Sequence, residues 1–171
     1  VKGVITNKRE IECDMVILAL GIRPEVEIAR RAGIQIGRLG GIKVDEQMRT
    51  SVMDIYACGD CVETRDIITS ENILCLLWFN GKKQGEVAGY NAVGSKRTFP
   101  GGMNISGINI FGINAVSIGH TANSLRSIKL KIIERELNKI YYRLLVADGV
   151  LVGAQIIGEM SDIGSLVSAI R

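Results

Sequence analysis

Cys58 and Cys61 stand in a C-x-x-C spacing inside the stretch Thr50–Cys61, which reads TSVMDIYACGDC. That spacing suits two chemistries. A dithiol can cycle with its disulfide when a thiol is exposed and has a lowered pKa. A thiolate pair can also supply half of a tetrahedral zinc shell, which then needs two further ligands. The only histidine, His120, lies far along the chain, and the other cysteines are Cys13 and Cys75. C-x-x-C alone is a modest signal for either use. The two residues between the cysteines point to a different chemistry. Gly59-Asp60 closes a short apolar stretch, "DIYAC". In open α/β sheets, ligands sit beyond the carboxyl ends of the strands. A glycine there lets the backbone approach a ligand, and a carboxylate accepts hydrogen bonds from sugar or polyol hydroxyls. Taken alone, Asp60 is as readily a turn residue.

The elements that position this stretch follow from the pattern on either side. "VKGVITNKREIEC" reads as a hairpin, and residues 15–20, "MVILAL", as a strand buried on both faces. Gly21 breaks it, Pro24 sets a turn, and "PEVEIARRAG" is a short helix with Gly33 past its end. Short strands are expected around 34–36 and 42–44, and a third ending at Gly59-Asp60. "NGKKQGEVAGYNAVG" is a helix that Asn80 is expected to cap and Gly94 to end. Gly85 and Gly89 share one face of it, where a neighbouring backbone or ligand can come close. After "FPGG" the pattern turns to short alternating strands with glycine corners. Three strands are expected between Ser127 and Gly158, with turns at Leu137–Lys139 and at Asp148-Gly149. A final helix, "SDIGSLVSAI", takes Ser161 as its cap. The "KLKIIERE" run is a solvated strand face with cross-strand charge pairs.

Composition bounds the function. The chain has 171 residues, 47% of them hydrophobic, enough for a packed core. A net charge of +3, spread along the chain, does not argue for nucleic acid, and 5% aromatics leave little for a base-stacking surface. No apolar run approaches the roughly 20 residues of a membrane span. No signal-peptide pattern opens the chain, which begins at Val1 without methionine. Thiols placed in apolar runs fit a reduced, cytoplasmic protein better than a disulfide scaffold.

"TSVMDIYACGDC" resembles the second flavin-binding motif of the FAD-dependent pyridine nucleotide-disulfide oxidoreductase superfamily, through Thr50, Ile55, Tyr56, Ala57, Gly59 and Asp60. "LALGIRP" is similar to the same superfamily's Ala-x-Gly-x-Arg-Pro element, through Ala19, Gly21, Arg23 and Pro24. "WFNGKKQGEVAGYNAVG" resembles the helix that faces the flavin in ferredoxin-reductase-like and nitrite-reductase-like members. The segments from Phe99 to His120 and from Ile140 to Gly158 look like the C-terminal interface domain of the nitrite-reductase-like and NADH-oxidase-like branch. The resemblance implies that Gly59 and Asp60 hold the ribityl or pyrophosphate of FAD. It implies that Trp78 lies against the isoalloxazine, with plain core as its other reading. Backbone amides near Asn80, Gly81 and Lys82 would face the flavin's pyrimidine oxygen. Arg23 would have a positional role between cofactor domains, or simply start a turn. Cys58 then fills a variable position of the motif and Cys61 follows it. No residue here is implied as a catalytic acid or base, no metal ligand is implied, and His120 reads as structural.

The superfamily's two G-x-G-x-x-G fingerprints are absent from these 171 residues. The expected organisation is therefore the C-terminal part of a longer enzyme. The fold class is an α/β fragment, the returning half of a Rossmann-type FAD domain, followed by a small α+β interface domain with an antiparallel sheet. Residues 1–21 would be the tail of the NAD(P)-binding domain, 22–98 the second segment of the FAD domain, and 99–171 the dimerisation domain. The expected activity is electron transfer from NAD(P)H through FAD to an acceptor. Expected partners are a second copy through residues 99–171, the N-terminal remainder of the enzyme and an electron-acceptor protein, with neither nucleic acid nor membrane. This piece alone is expected to bind no stoichiometric FAD. The competing reading is a non-catalytic dimerisation or interaction module.

Overall fold

A computed structural model describes residues 1–125, 128–137 and 139–170. Its first element is the expected hairpin, β1 (Gly3–Ile5) against antiparallel β2 (Glu10–Glu12). The Thr6 hydroxyl closes its turn, donating to the Arg9 carbonyl and accepting from the amides of Lys8 and Arg9. The next stretch departs from expectation. Met15–Leu20 forms no strand and is exposed, with Ile17 at 81% and Leu20 at 87%. A buried strand needs a neighbour for its amides and a layer on each face. No described strand lies beside this one.

Helix α1 (Glu27–Arg31) follows Pro24, and Gly33 at φ 74° turns the chain after it. Ala29 packs with Val26, Ile34, Ile42 and Val62. The sheet beneath is small: β3 (Ile42–Lys43) pairs parallel with β4 (Val62–Arg65), which pairs antiparallel with β5 (Asn72–Ile73). The strand expected at 34–36 is reduced to one bridge, Ile36 to Ile42. The strand expected to end at Gly59-Asp60 is likewise a single bridge, Arg49 to Tyr56. Met48 (φ 62°) and Asp54 (φ 64°) bend the chain on either side of it, so no ladder extends. The Gly-Asp turn leads into β4 instead of closing a strand.

Helix α2 (Trp78–Ala92) starts two residues earlier than expected, and Leu77, not Asn80, is its N-cap residue. Asn80 is buried inside the first turn, and its Nδ2 donates to the Met103 carbonyl at 3.0 Å. Tertiary bonding has taken the side chain that local propensity assigns to capping. Val87 and Ala88 seat the helix on Met48 and Phe99. Gly94, at φ 91°, ends it as expected.

The last third is a five-stranded antiparallel sheet in the order β6-β7-β10-β9-β8. Its strands are β6 (Ile105–Ile110), β7 (Ile113–Gly119), β8 (Lys131–Leu137), β9 (Ile140–Ala147) and β10 (Val150–Ile157). Two-residue turns with positive φ at both positions, Phe111-Gly112 and Asp148-Gly149, join two of the hairpins and match the strand twist. The turn expected at Leu137–Lys139 includes Asn138, which lies outside the described residues; its flanks Leu137 and Ile140 pair. Ile118, Ala154 and Ile156 are buried together with Ile170, beyond the end of α3 (Ile163–Ala169). Ser161 does not cap α3; the residue before the helix is Asp162, which instead accepts the Tyr142 hydroxyl at 2.7 Å. β8 carries the expected cross-strand pair, Glu134 with Arg143 of β9 at 3.4 Å. Gly153 marks a bulge in β10, where a Cβ would run into the His120 carbonyl.

Candidate functional site

Gly59 has φ 86° and open space where a Cβ would stand, so the turn it begins needs glycine. Its carbonyl accepts the Val62 amide at 3.1 Å, and its amide donates to Gln84 Oε1 at 2.8 Å. Gln84 sits on α2 and is 1% exposed. The neighbours of Gln84 on that face are glycines: a Cβ on Gly81 would stand 3.4 Å from the Gly59 Cα, and one on Gly85 would stand 3.9 Å from the Cys58 sulfur. The close face of the helix is thus Gly81 with Gly85; Gly89, expected to share it, has nothing within 4 Å. Asp60 is exposed at the head of the turn, and its carboxylate has no hydrogen-bond partner among the described residues.

The start of α2 lies on the same side of the fold as this turn. Leu77's amide bonds to the Cys75 carbonyl at 2.9 Å, and Gly81's to the Leu77 carbonyl at 3.1 Å. The first-turn amides outside the helix ladder are therefore those of Trp78, Phe79 and Asn80. The expected set, Asn80 to Lys82, is displaced toward the N-terminus because the helix begins earlier. Lys82 instead brings its ammonium over the Trp78 ring at 5.4 Å. Trp78 is 78% exposed, which removes the core reading of this residue in the chain. Arg23 is exposed between Gly21 and α1, and no hydrogen bond among the described residues ties it to the turn or to α2.

The structure thus brings the Gly59-Asp60 turn and Gly81 together, and puts Trp78 about one turn before Gly81 on the helix, with the adjacent Lys82 reaching back over its ring. Asn80 is turned toward Met103 and Arg23 stands apart. Sequence reasoning missed Gln84; its signal was a polar side chain between two glycines on the near face of the helix. It also missed Asp66, which lies opposite His120. Asp66 Oδ1 accepts the amides of Ile68 at 2.8 Å and Thr69 at 2.7 Å, and meets His120 Nε2 at 3.2 Å. His120 Nδ1 faces the Ser124 hydroxyl at 3.1 Å, so both ring nitrogens are occupied within the fold, as a structural histidine's are. This group borders a cleft of about 1180 Å³ that also takes in Leu74, Leu77 and Leu125. Asp60 and Gln84 lie outside it, the first exposed and the second buried.

The cysteines carry no disulfide. Burial raises the Cys61 thiol pKa, and the neighbouring Cys58 and Asp60 add to it; the Sγ donates to the Cys58 carbonyl at 3.4 Å. Burial, with Asp66 nearby, pushes Cys75 up to about 12. Neither is the exposed, low-pKa thiol that redox cycling needs. At about pH 7 an aryl-disulfide reagent is expected to label half-buried Cys13 and Cys58 ahead of Cys61 and to reach Cys75 only in denaturant. Rapid oxidation of Cys58 and Cys61 to a disulfide that a dithiol reverses would contradict this assignment. No group of three His, Cys, Asp or Glu side chains among the described residues is arranged to hold a metal ion. No described helix is long and apolar enough to cross a membrane.

Two family models match. Residues 1–85 match "Pyridine nucleotide-disulphide oxidoreductase", and residues 105–171 match "Rubredoxin NAD+ reductase C-terminal domain". A Methanocaldococcus jannaschii NADH oxidase is 34% identical over 92% of this chain and 38% of its own length. A CoA-dependent NAD(P)H sulfur oxidoreductase of Pyrococcus furiosus is 43% identical over 62% of this chain and 24% of its own length. Among solved structures, an NAD-dependent persulfide reductase from A. fulgidus superposes with a TM-score of 0.85 at 35% identity, over 96% of this chain and 34% of that one. The chain therefore spans well under half the length of the relatives it matches. Their mixed α/β fold is the fold seen here.

Proposed function

We propose, for a chain that belongs to the pyridine nucleotide-disulphide oxidoreductase family, that it is the flavin-gripping, C-terminal part of an enzyme that moves electrons from NAD(P)H through FAD to an acceptor. The observation that carries this reading is Asp60: an exposed carboxylate without an internal partner, presented on a glycine turn that a buried glutamine holds against a helix. Those residues fit the cofactor. Asp60 supplies the acceptor that a ribityl or ribose hydroxyl needs, and Gly59 leaves room for close approach. The free amides of Trp78, Phe79 and Asn80 favour an oxygen carrying negative charge. Trp78 with Lys82 offers an aromatic wall and a cation beside them.

The domain assignment follows from the same reading. Residues 1–21 end the NAD(P)-binding domain, 22–98 return into the FAD domain as half of a Rossmann-type fold, and 99–171 form the interface domain. Met15–Leu20 then takes its place among strands of the N-terminal remainder, which accounts for an apolar run left exposed. Exposed Ile108, Ile110, Phe111 and Ile113 on the β6–β7 hairpin suit an interface with a second copy. When bound, FAD accepts hydride from the nicotinamide and passes electrons on. This chain's residues bind and orient it; none is assigned proton transfer. The relatives' names point to sulfur, persulfide or oxygen as acceptor classes, and the rubredoxin reductase description to an acceptor protein.

The test is made on the whole polypeptide that contains this chain. It is expected to purify yellow, and its flavin to bleach on anaerobic addition of NADH or NADPH. The 171-residue piece alone is expected to take up no stoichiometric flavin. A whole polypeptide that is colourless, and that FAD leaves unchanged, would overturn the enzyme reading in favour of a non-catalytic interaction module.

A further inference from the structure

We propose that Gln84 is the positioning residue of the cofactor site, retained to set the Gly59-Asp60 turn and not to stabilise the fold; the proposal rests on the reading of Asp60 as a flavin ligand. The argument begins with an imbalance. Gln84 is 1% exposed, and its Oε1 accepts the Gly59 amide at 2.8 Å. That donor fixes which end of the carboxamide faces the turn. Nε2 is left on the other side, buried and without a partner among the described residues. A buried amide NH₂ with no acceptor costs stability; an apolar side chain of similar length would remove that cost but would also leave the Gly59 amide without its acceptor, so the glutamine brings the fold little net stability. Unpaired polar atoms in cores are rare, and a position that breaks the rule points to a function elsewhere.

What Gln84 does in return is local and directional. It enters from α2 between Gly81 and Gly85, which clear the space for the turn to lie against the helix. Its oxygen takes the one amide whose orientation sets the φ 86° residue immediately before Asp60. Asp60 has no side-chain bond among the described residues, so its direction is inherited from that turn. A rigid helix thereby fixes the direction in which the carboxylate is presented, and that ordering is prepaid before the ligand arrives.

The experiment compares Gln84→Met, Asp60→Asn and the double variant in the whole flavin-carrying polypeptide, reading FAD affinity by fluorescence quenching of the apoprotein and the melting temperature without FAD. Gln84→Met is expected to weaken FAD about tenfold, the size of one lost orienting hydrogen bond, while the apoprotein melting temperature stays nearly unchanged, because loss of the Gly59 acceptor is offset by removal of the unpaired Nε2. In the double variant the two losses are expected not to add, because both act through one carboxylate. Unchanged FAD affinity in Gln84→Met overturns the proposal. So does a loss of affinity that comes with a lower apoprotein melting temperature, since that marks a merely structural glutamine. So do fully additive losses in the double variant. If the unmodified polypeptide binds no FAD, it is the flavin reading that fails.

Discussion

Replacing Asp60 with alanine is expected to weaken FAD binding by at least about a hundredfold in the polypeptide that carries this chain, with almost no change in the stability of the apoprotein. The size follows from the chemistry of the site. A carboxylate that accepts two hydroxyls makes two charge-assisted hydrogen bonds of about 1.5–3 kcal/mol each, and a factor of ten is about 1.4 kcal/mol. The selectivity for binding over stability follows from geometry. Asp60 is exposed and bonds to nothing within the described residues, so its removal leaves no buried group unpaired. Surface changes of this kind stay within about 0.5 kcal/mol. Asp60→Asn keeps one acceptor oxygen and loses the charge, so it should fall between. Titration of apoprotein with FAD, read beside a melting curve, checks both halves. A variant that binds FAD within about threefold of the unmodified protein would remove Asp60 from the site.

The C-terminal sheet was legible because its information is local. Asp148-Gly149 demands positive φ at two successive residues, and that sets the register of β9 against β10 as far as the bulge before Gly153. The same holds for Gly33 and Gly94 as helix stops. Residues 15–20 form no strand here for the opposite reason. An apolar run states that it needs covering, but not by what, and none of the described residues covers it. Asn80 shows a different limit. Its type suits a cap, yet Met103 lies within reach in space, and the buried bond to it takes the side chain instead. The turn at Gly59-Asp60 was found by its motif, whereas its support was not. Gln84 lies 25 positions away from Gly59, and no periodicity in the chain reports which face of α2 a turn will meet. Asp66 and His120 are 54 positions apart, one just past β4 and the other just past β7, and only the folded chain brings them together.

That pair carries the second large effect. Asp66→Ala is expected to destabilise the protein by about 3 kcal/mol or more, because it leaves the Ile68 and Thr69 amides and the His120 ring without their acceptor in a buried place. For a chain of this size that is a fall of about 6–12 °C in melting temperature. The pH dependence has a definite sign. Burial alone would raise the Asp66 pKa, but the His120 ring and the two amides outweigh it and hold the carboxyl below its ordinary 3.8. A carboxylate whose pKa is depressed by folding stabilises fully above its unfolded value and loses that contribution as pH falls through the folded one. The Asp66 contribution is therefore intact above about pH 5 and disappears on acidification, mostly below pH 4. Asp66→Asn retains an acceptor for the amides and removes the titration. It should cost less than alanine near neutrality and give a flatter acid limb, so that its deficit relative to the unmodified protein shrinks as pH falls. Melting curves from about pH 7 to pH 3 separate these cases. The effect would reach the proposed flavin site through the chain itself: Asp66 holds the turn at Ile68 and Thr69, and the chain runs on from there through Cys75 to Leu77, where α2 begins and Trp78 stands exposed. A loosened anchor should therefore cost some FAD affinity as well as stability. The two fall together there, unlike the loss at Asp60, which leaves the fold intact.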